Sequence, residues 1–252
     1  MRFASLGSGS RGNALMIETA RTRVLVDCGF GPKELTRRLA RLGLEPGDID
    51  AILVTHEHSD HVGGVARHIR RHACEVLMTH GTLVASGLPN VDVRVFDSHV
   101  GFAIDDLEVT PFPVPHDARE PSQFVFSDGA RRLGILTDAG FVTPHMVAML
   151  ADCSALVLEC NHDPAMLARG RYPWSLKQRI AGPLGHLDNF AAADLLRQVA
   201  GHRLRHVVAA HLSEENNTPA LARAALAGAL GCSPDWVSVA DQARGCDWRS
   251  LD

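Results

Sequence analysis

The chain has 252 residues, 46% of them hydrophobic and 21% charged, which suits a globular protein with a core of its own. A net charge of −4 excludes a global basic field for nucleic acid, so any such contact must be local. Apolar runs such as 51–54 and 155–158 are strand-sized, and none approaches the roughly 20 residues of a membrane span. The opening MRFASLGSGS carries no apolar leader segment, and a cytoplasmic location is expected.

In chain order, residues 14–19 and 22–28 are β-rich runs split by a short polar turn and predict a hairpin. Gly31 and Pro32 introduce a helix over 33–42, with Leu35, Leu39 and Leu42 on one face. Residues 51–55 form a buried strand that ends at His56. A helix over 62–72, a strand over 75–78 and a helix over 82–86 follow. The middle is β-rich, with strands at 92–96, 107–114, 122–127 and 132–137, the last two joined at Asp128-Gly129. Helices (143–150, 189–199, 218–230) then alternate with strands (155–159, 206–210, 236–239). Residues 163–187 are irregular and rich in Gly and Pro, the kind of segment that more often serves function than connection. The order predicts one α/β domain over 1–252, with two packed sheets, one from each half, and helices outside.

The six cysteines are scattered and form no C-x-x-C pair, as expected of buried free thiols. Fourteen histidines is a high count for the commonest transition-metal ligand, and directs attention to their positions. Thr55-His56-Glu57-His58-Ser59-Asp60-His61 follows the buried strand at 51–54 and packs three imidazoles and two carboxylates into six residues. If the extended path persists, His56, His58 and Asp60 share one side and Glu57 points away. The turn into the next helix then swings His61 round. Zinc and similar ions favour such N/O donors.

This motif resembles the signature of the metallo-β-lactamase superfamily, and later motifs occur in that family's order along almost the whole chain. The resemblance implies an αββα four-layer sandwich of two mixed sheets with helices outside. It implies one metal on His56, His58 and His116, a second on Asp60, His61 and His211, and Asp138 bridging them. Asp27, in the Asp27-Cys28-Gly29 turn, would support the site from behind. The implied cofactors are two divalent ions, Zn, Mn or Fe, and the implied chemistry is hydrolysis by a bridging hydroxide oriented by Asp60 and Asp138. The redox branch of the superfamily has Glu where this chain has His58, which disfavours redox use.

Further segments narrow the substrate. The stretch Leu6–Asn13, Glu159-Cys160-Asn161-His162-Asp163, Arg171-Tyr172-Pro173-Trp174, Gly185-His186-Leu187-Asp188-Asn189 and the run after His211 together look like the bacterial WalJ/YycJ-type branch, whose members are exonuclease-type or phosphodiesterase-type hydrolases. A looser similarity to ribonuclease J and other β-CASP nucleases assigns His186 to the scissile phosphate or the leaving oxygen. It assigns Glu159 to holding His186 or a neighbouring ligand. This chain lacks the large inserted domain of those nucleases, so the analogy bears on chemistry more than on substrate. Asp60 and His186 are therefore the expected catalytic residues. Asn13, Asn161, His162, Arg171 and Lys177 join Asp27 and Glu159 as expected supporting or substrate residues, with Arg179 a further part of a basic rim. The expected partner is nucleic acid or another phosphodiester. Two alternatives stand beside it: a thioester or lactone hydrolase of the glyoxalase II kind, and a non-catalytic metal-containing module that recognises nucleic acid.

Overall fold

The fold was analysed on a computed structural model, which describes residues 1–88 and 92–251. Two seven-stranded mixed sheets pack face to face. The first half of the chain supplies β1 (Arg2–Gly7), β2 (Ala14–Glu18), β3 (Arg23–Val26), β4 (Ala51–Leu53), β5 (Glu75–Thr79) and β6 (Arg94–Phe96) to the first sheet, in that spatial order. The second sheet runs from β7 (Phe102–Ile104) through β8 (Leu107–Pro113), β9 (Ser122–Ser127), β10 (Arg132–Leu136), β11 (Ala155–Glu159) and β12 (His206–Ala210) to β13 (Ser238–Val239). The expected division of one sheet per half needs one correction. A last strand, β14 (Cys246–Ser250), crosses back and pairs antiparallel with β1 at the edge of the first sheet.

Period-two alternation explains why two sheets carry three apolar layers. In β11, Ala155 and Val157 face the other sheet, while Leu156 and Leu158 face the outer helices. In β4, Ala51 and Leu53 point inward and Ile52 outward. The central layer joins Phe3, Ile17, Leu77, Phe124, Phe126 and Val208 from both sheets. One outer layer sets Met16, Leu25 and Ile52 against Leu35 and Leu39 of α1 (Pro32–Ala40). The opposite layer sets Leu136, Leu156 and Leu158 against α5 (Pro144–Leu150), α8 (Asn189–Val199) and α9 (Pro219–Leu230). This is the expected αββα order.

The single helix expected over 62–72 is two short ones, α2 (Ser59–Val62) and α3 (Val65–Ile69). The break falls at Gly63-Gly64, where a Cβ on Gly64 would lie 2.1 Å from the Phe30 carbonyl oxygen. Only glycine permits that backbone approach. The remaining helices are α4 (His80–Ser86) and, inside the segment read as irregular, α6 (Pro164–Arg169) and α7 (Trp174–Ile180). Among the described residues no helix is long and apolar enough to cross a membrane.

Candidate metal centre and its cavity

The strand ends converge on one edge of the sandwich. Asp27 follows β3, His56 follows β4, Asp138 follows β10, Glu159 ends β11 and His211 follows β12. Asp27, Asp138 and His211 all hold left-handed backbone, with φ of 61°, 56° and 54°. Such strain on non-glycine residues costs on the order of 1–3 kcal/mol each and persists where the surroundings enforce it. Three of them at one strand edge mark that edge as functional.

Their donor atoms form four overlapping sets, each with ligand atoms within 4.8 Å of one another: His56, His58 and His116; His56, His61 and Asp138; Asp60, His61 and His211; Asp138, Glu159, His186 and His211. The extended path assumed for 56–60 stops early. Helix α2 begins at Ser59, so Asp60 turns away from His56 and His58 and joins His61 and His211. Glu57 does point elsewhere, and accepts from the Arg119 amide at 2.7 Å.

Each ring is aimed by a bond on its far nitrogen. Thr55 Oγ1 lies 2.9 Å from Asp27 Oδ2, an acceptor only, so its proton goes there and its oxygen accepts from His56 Nδ1 at 3.0 Å. Asp27 Oδ2 also accepts from His61 Nδ1 at 2.8 Å, the Gly185 carbonyl from His116 Nδ1 at 3.1 Å, and Glu159 Oε1 from His211 Nδ1 at 3.2 Å. These four rings therefore turn Nε2 to the cluster. His58 is reversed: its Nε2 donates to the Asp117 carbonyl at 3.2 Å, and its Nδ1 lies 3.4 Å from His116 Nε2. This is how second-layer acceptors fix tautomers at metal sites.

The donor set fits divalent ions on a direct observation. His56 Nε2, Asp138 Oδ2 and His211 Nε2 are buried without a hydrogen-bond partner, though His61 Nε2 stands 3.2 Å from that same Asp138 oxygen. Buried polar atoms of this kind are rare and call for an explanation, and a shared cation supplies one.

Electrostatics separate the groups into two classes. Burial, then the proximity of His61, pushes His56 well below the ordinary histidine value, and burial also lowers His116. Burial opposes ionisation of Asp60, yet the neighbouring imidazoles of His211 and His61 outweigh it and hold the carboxyl well below the usual range. Asp138 is held low in the same way by the charges of His211 and His61. His186 is raised to about 10, because Glu159 and Asp138 override its burial.

His186 sits beside the donor sets on a polar scaffold. Its Nδ1 donates to Glu159 Oε1 at 2.8 Å and lies 3.3 Å from Asp138 Oδ1. Glu159 is fully buried and also accepts from the Ala139 and Leu187 amides at 3.0 and 3.1 Å, so one carboxylate holds both His186 and His211. Asn13 donates through Nδ2 to Asp60 Oδ2 at 3.1 Å and accepts from the Gly9 amide at 2.8 Å. The opening Gly/Ser stretch thus positions the Asp60 carboxylate. Gly29 closes the same turn: a Cβ there would fall 1.8 Å from the Asp60 carbonyl oxygen.

A cavity of about 320 Å³ opens over these groups, lined by His58, Asp60, Asp138, His186 and His211 on the ligand side. Asn161 lines it too and donates to the His211 carbonyl at 3.0 Å. Three expected supporting residues stand elsewhere. The buried His162 contacts the Asn161 side chain and is outside the cavity lining. Arg171 lines a separate surface groove with Arg169 and Glu215. Lys177 Nζ donates to the Ala168 carbonyl at 2.7 Å. The cation at the cavity is Arg179, whose Nε donates to Asp117 Oδ2 at 2.6 Å. Their partners distinguish them, since Arg179 is held at the cavity by Asp117 and Lys177 is turned to the Ala168 carbonyl. Asp117 was also missed, although it directly follows His116.

An αββα sandwich with histidine and aspartate donors gathered at one strand edge defines a class of metal-dependent proteins. The family model described as the Beta-lactamase superfamily domain matches residues 22–216, and the chain belongs to the metallo-β-lactamase superfamily, whose fold binds divalent metal. It is 34% identical over 258 residues to exodeoxyribonuclease WalJ of Streptococcus pneumoniae, covering 100% of this chain and 93% of that protein. It is 36% identical over 235 residues to exodeoxyribonuclease YycJ of Bacillus anthracis, covering 91% and 89%. In fold it is similar to the metallo-β-lactamase fold protein YhfI of Bacillus subtilis, with a TM-score of 0.75 at 13% identity over 98% of both chains.

Proposed function

We propose that the chain, acting as one domain, is a two-metal phosphodiesterase of exonuclease type, with DNA ends as the first substrate to test and RNA ends the second. The observation that carries this reading is Asp138: its Oδ2 lies 3.2 Å from His61 Nε2 and its Oδ1 4.0 Å from His116 Nε2, so one carboxylate reaches a cluster-facing ring nitrogen of each set and can be shared between two ions. On this reading His56, His58 and His116 hold one ion, Asp60, His61 and His211 hold the other, and Asp138 bridges. Zn, Mn and Fe all suit these donors. When bound, two such ions supply Lewis acidity toward phosphoryl oxygens and a hydroxide nucleophile at neutral pH.

The residues do the rest. Asp60 and Asp138 stay ionised and fix the line of attack. Glu159 keeps His186 protonated through Nδ1, and among the described residues no hydrogen bond engages Nε2. His186 then donates a proton from Nε2 to the departing sugar oxygen, the role of a general acid. Two full-length relatives named as exodeoxyribonucleases support the substrate class. The six cysteines form no disulfide, which supports a cytoplasmic setting.

The test uses end-labelled single- and double-stranded DNA and RNA, with Zn²⁺ or Mn²⁺ added. Processive shortening from one end, abolished in Asp60→Ala and reduced roughly 10²–10⁴-fold in His186→Ala, is the expected result. Polymers left intact by a metal-loaded protein would overturn the nuclease reading.

A further inference from the structure

The cavity is chemically two-sided. Its ligand side is polar, and every apolar side chain in its lining comes from one short segment: Tyr172, Leu176 and Ile180. Leu176 and Ile180 stand one turn apart on α7, and Tyr172, two residues before the helix, lines the same wall of the cavity. Helix α7 contains no buried residue, so this wall is not part of any core layer. Polar ties place the helix instead: Arg179 to Asp117, Lys177 to the Ala168 carbonyl, and the His186 amide to the Ile180 carbonyl at 2.9 Å. Tyr172 is the chain's single tyrosine, half-buried at this wall.

Phosphoryl hydrolysis needs none of this apolar surface. A substrate with a flat ring beside a charged group does need it. A volume of about 320 Å³ is at the small end of ligand pockets and suits one nucleotide rather than a duplex. We propose that Tyr172 is the stacking platform for the nucleobase of the terminal nucleotide, with Leu176 and Ile180 completing the apolar wall and Arg179 facing the backbone phosphates. The inference rests on the phosphodiesterase reading and adds to it a base subsite. Stacking on one aromatic ring tolerates every base, so the subsite gives affinity without sequence preference. It also makes the terminal base, rather than a sugar hydroxyl, the feature that seats the end of the strand.

The test compares kcat/KM on two metal-supplied oligonucleotide substrates, identical except that the terminal nucleotide at the cleaved end is abasic in one. Wild type is expected to lose about ten-fold on the abasic substrate, from the usual strength of base–aromatic stacking. Tyr172→Phe keeps the ring and should match wild type on both. Tyr172→Ala should lose about ten-fold on the base-bearing substrate and less than two-fold on the abasic one, which also shows that its metal centre is intact. Equal losses on both substrates, or no loss on either, would overturn the base subsite alone. If wild type cuts neither oligonucleotide, the phosphodiesterase reading fails and the subsite falls with it.

Discussion

Glu159→Gln exchanges one carboxylate oxygen for an amide NH₂ with almost no change in volume. The native carboxylate meets four donors: His186 Nδ1 at 2.8 Å and His211 Nδ1 at 3.2 Å on Oε1, and the Ala139 and Leu187 amides at 3.0 and 3.1 Å on Oε2. A glutamine must turn its NH₂ toward one of these pairs, so two bonds are lost and donors oppose donors. At roughly 1.5–3 kcal/mol per bond to a charged group, the loss is about 3–6 kcal/mol, which spans the range for breaking a buried charge pair. The titration of His186 gives the same order. A rise from 6.5 to about 10 corresponds to about 5 kcal/mol, shared between Glu159 and Asp138.

The pH dependence follows in the metal-free protein. His186 binds its proton more tightly when folded, so its contribution is complete below pH 6.5 and fades as pH rises through about 10. Glu159 is held at about 2, with its burial outweighed by His186 and His211, so its share is complete above pH 4.5 and fades as pH falls through about 2. Urea denaturation of chelated wild type and Glu159→Gln should therefore differ most between pH 4.5 and 6.5, by about 3 kcal/mol. With metal restored, nuclease turnover should drop about 10–100-fold. A gap under about 1 kcal/mol near pH 6, or one that widens toward pH 10, would refute this account of the Glu159 network.

Asp27→Asn removes the charge that aims His61, and calorimetric metal titration should show one of two binding events weakened about 10–100-fold; unchanged isotherms would sink that role. Gly29→Ala forces the Asp60 backbone to move, and should cost about 2–4 kcal/mol of stability together with bound metal; a variant with full metal content would contradict the close packing. His68 is buried with no hydrogen-bond partner for Nε2, and burial beside His72 pushes it down to about 4. It stays neutral in the fold but gains a proton on unfolding below pH 6.5, so it lowers stability as pH falls toward 4. His68→Leu should gain on wild type by about 2 kcal/mol between pH 7.5 and pH 4.5 in denaturation; a constant gap would refute it.

The cluster of candidate ligands was legible because its chemistry is dense and its residues stand at strand ends, as where a buried strand runs into His56-Glu57-His58-Ser59-Asp60-His61. Glu159 was legible as a partner of His186, but its simultaneous hold on His211 requires the parallel pairing of β11 with β12. β1 gives no strand signal in the sequence because small residues, Ala4, Ser5 and Gly7, fill a strand buried on both faces. The polar Cys246–Ser250 reads as a tail, and only its pairing with β1 makes it a strand. Glycines and prolines at 170 and 173 hid α6 and α7 by marking their ends. With α7 unseen, Arg171, Lys177 and Arg179 read alike as one basic rim, and only the bond from Arg179 to Asp117 at the cavity sets that residue apart.

The central claim is that two ions share Asp138 and that activity needs both. The direct measurement is titration of chelated protein with Mn²⁺ or Zn²⁺, following bound metal and end-labelled DNA cleavage together. The account predicts that cleavage rises to completion only at two equivalents, and that Asp138→Asn stays inactive even with metal in excess. Full activity at one equivalent, or in Asp138→Asn, would contradict it.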